Sequence, residues 1–119
     1  MIALSAWIPT TKTTYIAPPR SIEIPIELKR IGSCESTGSP YNEPVQFNED
    51  GTVLRGRVNS RDVGAYQINE FYWLEKSVEL GIDIYTEEGN KEMALWIYNQ
   101  NGTSPWNWSK ECWGPLFGG

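Results

Sequence analysis

Carboxylates are the side chains present in number that can move protons near neutral pH. The chain has no histidine and two cysteines, against fifteen aspartates and glutamates. Histidine-based acid–base chemistry is therefore excluded, and a zinc site would need carboxylates for most of its ligands. Cleavage of a glycosidic bond is a reaction that carboxylates perform by themselves: a protonated carboxyl stands beside the leaving oxygen. That acid holds its proton near neutral pH only where an apolar setting raises its pKa. Two of the fifteen stand in unusual company. Glu35 lies between Cys34 and Ser36, where a predicted helix meets a cysteine and a loop. Asp62 opens the run Val63-Gly64-Ala65-Tyr66-Gln67-Ile68-Asn69. Most carboxylates on any chain are solvated surface charge, so position alone selects neither residue.

The elements that must position these residues follow from local signals. Pro9, Pro18, Pro19 and Pro25 among several threonines predict an extended arm over residues 1–25, with Ile22, Ile24 and Ile26 alternating as in a short strand or an extended chain. A first helix begins near Pro25, which suits a first-turn position, carries Leu28 and Ile31, and ends near Gly38 or Pro40. Asn48-Glu49-Asp50-Gly51 reads as a turn, because the later ligands of a calcium loop are missing. Residues 52–58 are β-prone, Asn59-Ser60 is a turn pair, and residues 62–68 pair back to complete a hairpin. A second helix fits residues 69–80, capped by Asn69 and stopped by Gly81, with Phe71, Leu74 and Val78 at helical spacing. A third starts at the Thr86 cap, places Glu87 and Glu88 in its first turn, and ends at Asn101-Gly102. Its middle, Met93-Ala94-Leu95-Trp96-Ile97-Tyr98, is apolar nearly all round and predicts a buried helix. Residues 105–113 form an aromatic-rich tail with room for one helical turn. Helices flanking a small antiparallel β-hairpin make one α+β domain over residues 26–119.

Three stretches carry a resemblance. Asp62-Val63-Gly64-Ala65-Tyr66-Gln67-Ile68-Asn69 resembles the Asp-Tyr-Gly-Ile-Leu-Gln-Ile-Asn strand of c-type lysozymes and the Gly-Leu-Met-Gln-Ile signature of bacterial lytic transglycosylases. In both families the acid is a Glu at the end of an upstream helix, commonly followed in transglycosylases by Ser, as in Glu35-Ser36. The run from Ala94 through Tyr98-Asn99 to Gly102 resembles the transglycosylases' Ala-x-x-Tyr-Asn-x-Gly helix end, with one extra residue before the glycine. The three motifs occur in the families' order and cover most of the predicted domain.

The resemblance implies a lysozyme-like fold, mostly helical, whose hairpin borders a groove with Glu35 at its floor. It implies cleavage of the β-1,4 bond between N-acetylmuramic acid and N-acetylglucosamine in peptidoglycan, with Glu35 as general acid and no cofactor or metal. In a transglycosylase Glu35 would next act as base toward the sugar's own C6 hydroxyl, giving a 1,6-anhydro product. In a hydrolase a second carboxylate takes part, and Asp62 holds the matching position. Asp62 also has a plain reading, as a turn-capping residue neutralised by Arg61. Ser36, Tyr66, Gln67, Tyr98 and Asn99 are the expected sugar contacts. Core packing competes for Tyr98, and a tie between hairpin and helix competes for Gln67. Trp96 reads as core; Trp106, Trp108 and Trp113 either shape one end of the groove or pack on the first helix.

Composition bounds the alternatives. A net charge of −5 argues against nucleic acid as a partner and gives no steering toward an anionic wall. Six tryptophans and six tyrosines suit both a small core and the walls of a sugar cleft, where flat apolar faces stack on pyranose rings. Cys34 and Cys112 are either a disulfide that pins the tail to the first helix or two reduced, buried thiols. No apolar run reaches membrane-spanning length, and the start of the chain lacks the basic region of a signal peptide. The expected protein is a monomer acting on glycan strands in the extracellular space or cell envelope. A module that binds peptidoglycan or a chitin-type glycan without cleaving it, or recognises a protein, is the rival reading.

Overall fold

A computed structural model describes residues 22–118 of the chain. Most of the expected arm, residues 1–21, lies outside the described residues, and residues 22–25 are neither helix nor strand.

Helix α1 spans Ile26–Thr37. Pro25 occupies its N-cap, one position earlier than a first-turn proline, and its fixed φ of −59° leads directly into the first turn. Gly38 ends the helix at φ +80°, donating its N–H to the Cys34 carbonyl. Leu28, Ile31 and Cys34 are turned into the core. Gly32 admits the Tyr66 ring: a Cβ there would stand 2.4 Å from Tyr66 Cε1.

The β-region is shorter and differently paired than the sequence predicts. The antiparallel strands are β1, Asp62–Val63, and β2, Ile68–Asn69, with Asp62 opposite Asn69 and Val63 opposite Ile68. Residues 52–58 are no full strand. They contribute the isolated bridges Phe47 to Val53 and Arg55 to Val63, and Gly56 N–H donates to the Asp62 carbonyl at 2.9 Å. The expected pairing of 52–58 with 62–68 thus survives at one end only. The second half of that stretch turns from Gly64 to Gln67 and pairs β2 back onto β1.

Two buried amides hold this turn. Gln46 Oε1 accepts from Ala65 N–H at 2.8 Å, and Asn90 Oδ1 accepts from Tyr66 N–H at 2.9 Å. Asn90 Nδ2 donates to the carbonyls of Val63 and Ile84, both at 2.9 Å. Both amides crowd Gly64, which sits at φ +77° with no room for a Cβ: Asn90 Nδ2 would be 2.4 Å from it.

Helix α2, Glu70–Glu79, is capped by Asn69, whose side chain accepts from Tyr72 N–H. Its buried face differs from the Phe71, Leu74, Val78 stripe. Phe71 and Val78 are exposed, while Ser77 is fully buried and Trp73 and Leu74 pack on the core. Helix α3, Glu87–Asn101, starts at Thr86, whose hydroxyl accepts from Gly89 N–H, and buries Met93, Ala94 and Ile97. Leu95, Trp96 and Tyr98 are only half-buried, so the helix is covered on one side rather than all round. The tail continues as a 3₁₀ segment, Ser104–Ser109, then α4, Lys110–Trp113, and a final 3₁₀ turn, Gly114–Phe117.

These pieces close one core, made by Leu28 and Ile31 of α1, Val63, Tyr66 and Ile68 of the hairpin region, Met93 and Ile97 of α3, and Trp106 and Trp113 of the tail. Cys34 and Cys112 form a disulfide joining α1 to α4, with Cα atoms 6.0 Å apart. The architecture is α+β, with four α-helices and a two-stranded antiparallel hairpin among the described residues.

Candidate active site

Glu35 sits on the last turns of α1, next to the disulfide, and faces a groove of about 550 Å³. Burial raises its carboxyl from 4.5 to about 7, because the charged form loses solvation that the groove does not replace. The hydroxyl of Ser109 works against that shift by donating to Glu35 Oε2 at 2.5 Å; the charge of Asp62 adds to it. Ser109 is itself held by Trp113, whose indole N–H donates to Ser109 Oγ at 3.0 Å. The disulfide flanks both partners, since Cys34 precedes Glu35 and Cys112 lies one helical turn beyond Ser109.

Asp62 lines the same groove from the start of β1. Asn69 Nδ2, opposite it on β2, donates to Asp62 Oδ1 at 2.9 Å. One amide thus caps α2 through its oxygen and orients Asp62 through its nitrogen. The two carboxylates are presented alike. Among the described residues each has one oxygen held, Glu35 Oε2 and Asp62 Oδ1, while the other makes no hydrogen bond to the protein.

Gln67 completes the floor. It is the one non-glycine among the described residues with positive φ, at +50°, a conformation that costs about 1 kcal/mol. Its Nε2 donates to the Gly64 carbonyl at 3.0 Å, which holds the side chain between the hairpin turn and the groove. Aromatic walls rise beside it. Trp106 is buried and donates its indole N–H to the Tyr66 carbonyl, whereas Trp108 is 99% exposed at the groove's edge. Tyr72 and Trp73 face it from α2.

The remaining expected contacts are placed differently. Ser36 lines a second depression beside Glu35 and Gln67, where its hydroxyl bonds back to the Gly32 carbonyl and accepts from Val45 N–H, tying the loop after α1. Tyr66 is a core residue, 2% exposed, and borders a separate cavity with Lys29 and Glu43; burial pushes its hydroxyl pKa up. Tyr98 donates to Glu27 Oε1 at 2.6 Å, a bond between α3 and α1 that raises its pKa to about 12. Asn99 is exposed and outside the groove. Of α3's motif, it is Ile97 that reaches the groove wall. Conversely, Ser109, Asn69, Tyr72 and Trp73 have site positions that the sequence reading missed. The Asn69 role had a signal, since a cap residue opposite Asp62 is implied by a short hairpin; Ser109 had none.

The second depression, of about 410 Å³, shares Glu35 and Gln67 with the groove and is lined also by Ser36, Thr37, Leu54, Arg55 and Arg57. Among the described residues no three His, Cys, Asp or Glu side chains cluster to hold a metal ion. No described helix is long and apolar enough to cross a membrane. Comparison with protein-family models, with curated proteins and with solved structures finds no match.

Proposed function

We propose that this chain is a peptidoglycan-cleaving glycosidase of lysozyme-like type, with Glu35 as general acid on the β-1,4 bond between N-acetylmuramic acid and N-acetylglucosamine. The observation that carries the reading is a carboxyl raised to about 7 inside a groove that also holds a second carboxylate and several aromatic side chains. A carboxyl with that pKa is still substantially protonated at neutral pH and can donate to a leaving oxygen. Ser109 fixes Oε2, so Oε1 is the oxygen free to approach the bond. As the bond breaks, positive charge grows on the sugar ring, and Asp62, held through Oδ1, offers its other oxygen to that charge. The carboxylate left on Glu35 then draws a proton from the incoming nucleophile, restoring the acid.

Asp62 in the groove favours water as that nucleophile. Tyr98 and Asn99, the residues most like the transglycosylase motif, stand away from it. Sugar rings stack on Tyr72, Trp73 and Trp108, and Gln67 bonds to their substituents. With Tyr66 in the core and Tyr98 on Glu27, these side chains take the binding role expected of those two and Asn99.

Mass spectrometry of the material released from purified sacculi tests the reading. Ordinary reducing-end muropeptides are expected, and Glu35→Gln should lower their release at least about a hundredfold. Products lighter by one water would assign a transglycosylase and leave Asp62 a turn residue. If the folded protein sediments with sacculi yet releases nothing, it is a binding module instead.

A further inference from the structure

The groove changes character across Glu35. On one side stand Asp62 and the aromatic residues Tyr72, Trp73 and Trp108; on the other are Arg55 and Arg57, with no aromatic side chain in the lining. Arg55 is already engaged, donating to the Ser60 carbonyl and to Glu70 Oε1. Arg57 makes no hydrogen bond or ion pair among the described residues and is exposed. The backbone just before it is held. Gly56, its neighbour, bonds to the Asp62 carbonyl and packs so closely that a Cβ would meet Asn59 O at 2.5 Å and Gln67 Oε1 at 2.9 Å. The contacts of Gly56 thus set the backbone that leads into Arg57, which itself lies in an exposed bend.

No hydrogen bond or ion pair among the described residues joins Arg57 to Glu35, whose hydrogen-bond partner is Ser109. An arginine without a hydrogen-bond or ion-pair partner among the described residues, lining this depression in a chain of net charge −5, is available to an anion on the bound ligand.

Resting on the glycan reading of the groove, we propose that Arg57 binds a carboxylate carried by the glycan on the side of Glu35 away from the aromatic wall. The substrate is thus a carboxylate-bearing glycan rather than a neutral one. In peptidoglycan that carboxylate belongs to the lactyl ether of a peptide-free muramic residue or to the stem peptide. The planar guanidinium can take either with two parallel hydrogen bonds.

Titration calorimetry on the Glu35→Gln protein, with and without Arg57→Ala, decides it. The probes are chitohexaose, a peptide-free muramic oligosaccharide, and the same oligosaccharide with its stem peptides. Arg57→Ala is expected to weaken the carboxylate-bearing ligands about tenfold and chitohexaose less than about twofold, with Arg57→Lys intermediate. Loss confined to the peptide-free ligand places the lactyl carboxylate at Arg57; loss confined to the peptide-bearing one places the stem. If all three bind and none responds to Arg57→Ala, the arginine proposal falls while the glycan reading stands. If none of the three binds the Glu35→Gln protein, both fall.

Discussion

Glu35 gives up solvation on entering the groove, and that loss outweighs the hydrogen bond that Ser109 donates to it. A raised carboxyl pKa is also a statement about stability. The folded state keeps the proton up to about pH 7, while the unfolded chain releases it near 4.5, so stability falls as pH rises through that window and levels off above it. Glu35→Gln has no proton to lose. Its stability relative to wild type is expected to improve by about 2 kcal/mol between pH 5 and pH 8, measured by urea unfolding at each pH. Ser109→Ala, which removes the contact favouring the charged form, should carry the wild-type decline to higher pH. A Glu35→Gln difference that stays the same at both pH values would mean that Glu35 titrates as an ordinary surface carboxylate.

The hairpin turn, α3 and the loop before it meet at one amide. Asn90 is fully buried and closes three hydrogen bonds, to Tyr66 N–H and to the carbonyls of Val63 and Ile84. Truncation leaves the Tyr66 N–H without its acceptor and takes a donor from two carbonyls, of which that of Ile84 keeps Gln46 Nε2 at 3.3 Å; a buried group left unpaired is a larger loss than the net worth of the bond it made. Asn90→Ala is therefore expected to cost about 3 kcal/mol in chemical denaturation. A loss below about 1 kcal/mol would mean that water replaces the amide. Because the same turn carries Asp62 into β1 and Gln67 into the groove floor, this element links stability to the site. Its counterpart at the other end of β2 is Asn69, which joins the hairpin to α2.

At the scale of the molecule, the groove is assembled from parts far apart in sequence, α1, the hairpin, α2 and the tail. One covalent bond spans the longest of these gaps. The disulfide closes 78 positions and holds α4 against the helix that bears Glu35. Closing a loop of that size restricts the unfolded chain by an amount worth about 4 kcal/mol in the chain-entropy treatment. The double variant Cys34→Ala/Cys112→Ala is expected to lose about 3–4 kcal/mol, read from its urea midpoint against the oxidised wild type. An unchanged midpoint would show that packing of Trp106 and Trp113 alone seats the tail.

Helix ends were legible in the sequence because capping is local chemistry. Gly38 supplies a left-handed stop, and Asn69 and Thr86 each offer a side-chain oxygen to a free N–H within one turn, so α1, α2 and α3 begin and end within about a residue of expectation. The cysteines were legible as candidates for pairing, and Glu35 and Asp62 as carboxylates worth following into the fold. Strand pairing was not, because β1 pairs on both sides, with Arg55 and with β2, and the 64–67 turn that brings β2 back is held by Gln46 and Asn90 from distant segments. Nor was the buried face of α2. Apolar spacing marked Phe71 and Val78, yet burial went to small Ser77, whose hydroxyl is satisfied by the Leu74 carbonyl. Tyrosine placement followed the same rule, with Tyr66 filling the space over Gly32 and Tyr98 reaching Glu27. The acidity of Glu35 belongs wholly to the tertiary structure. It is set by lost water and by a serine 74 positions away, and neither quantity exists until the chain has closed around the groove.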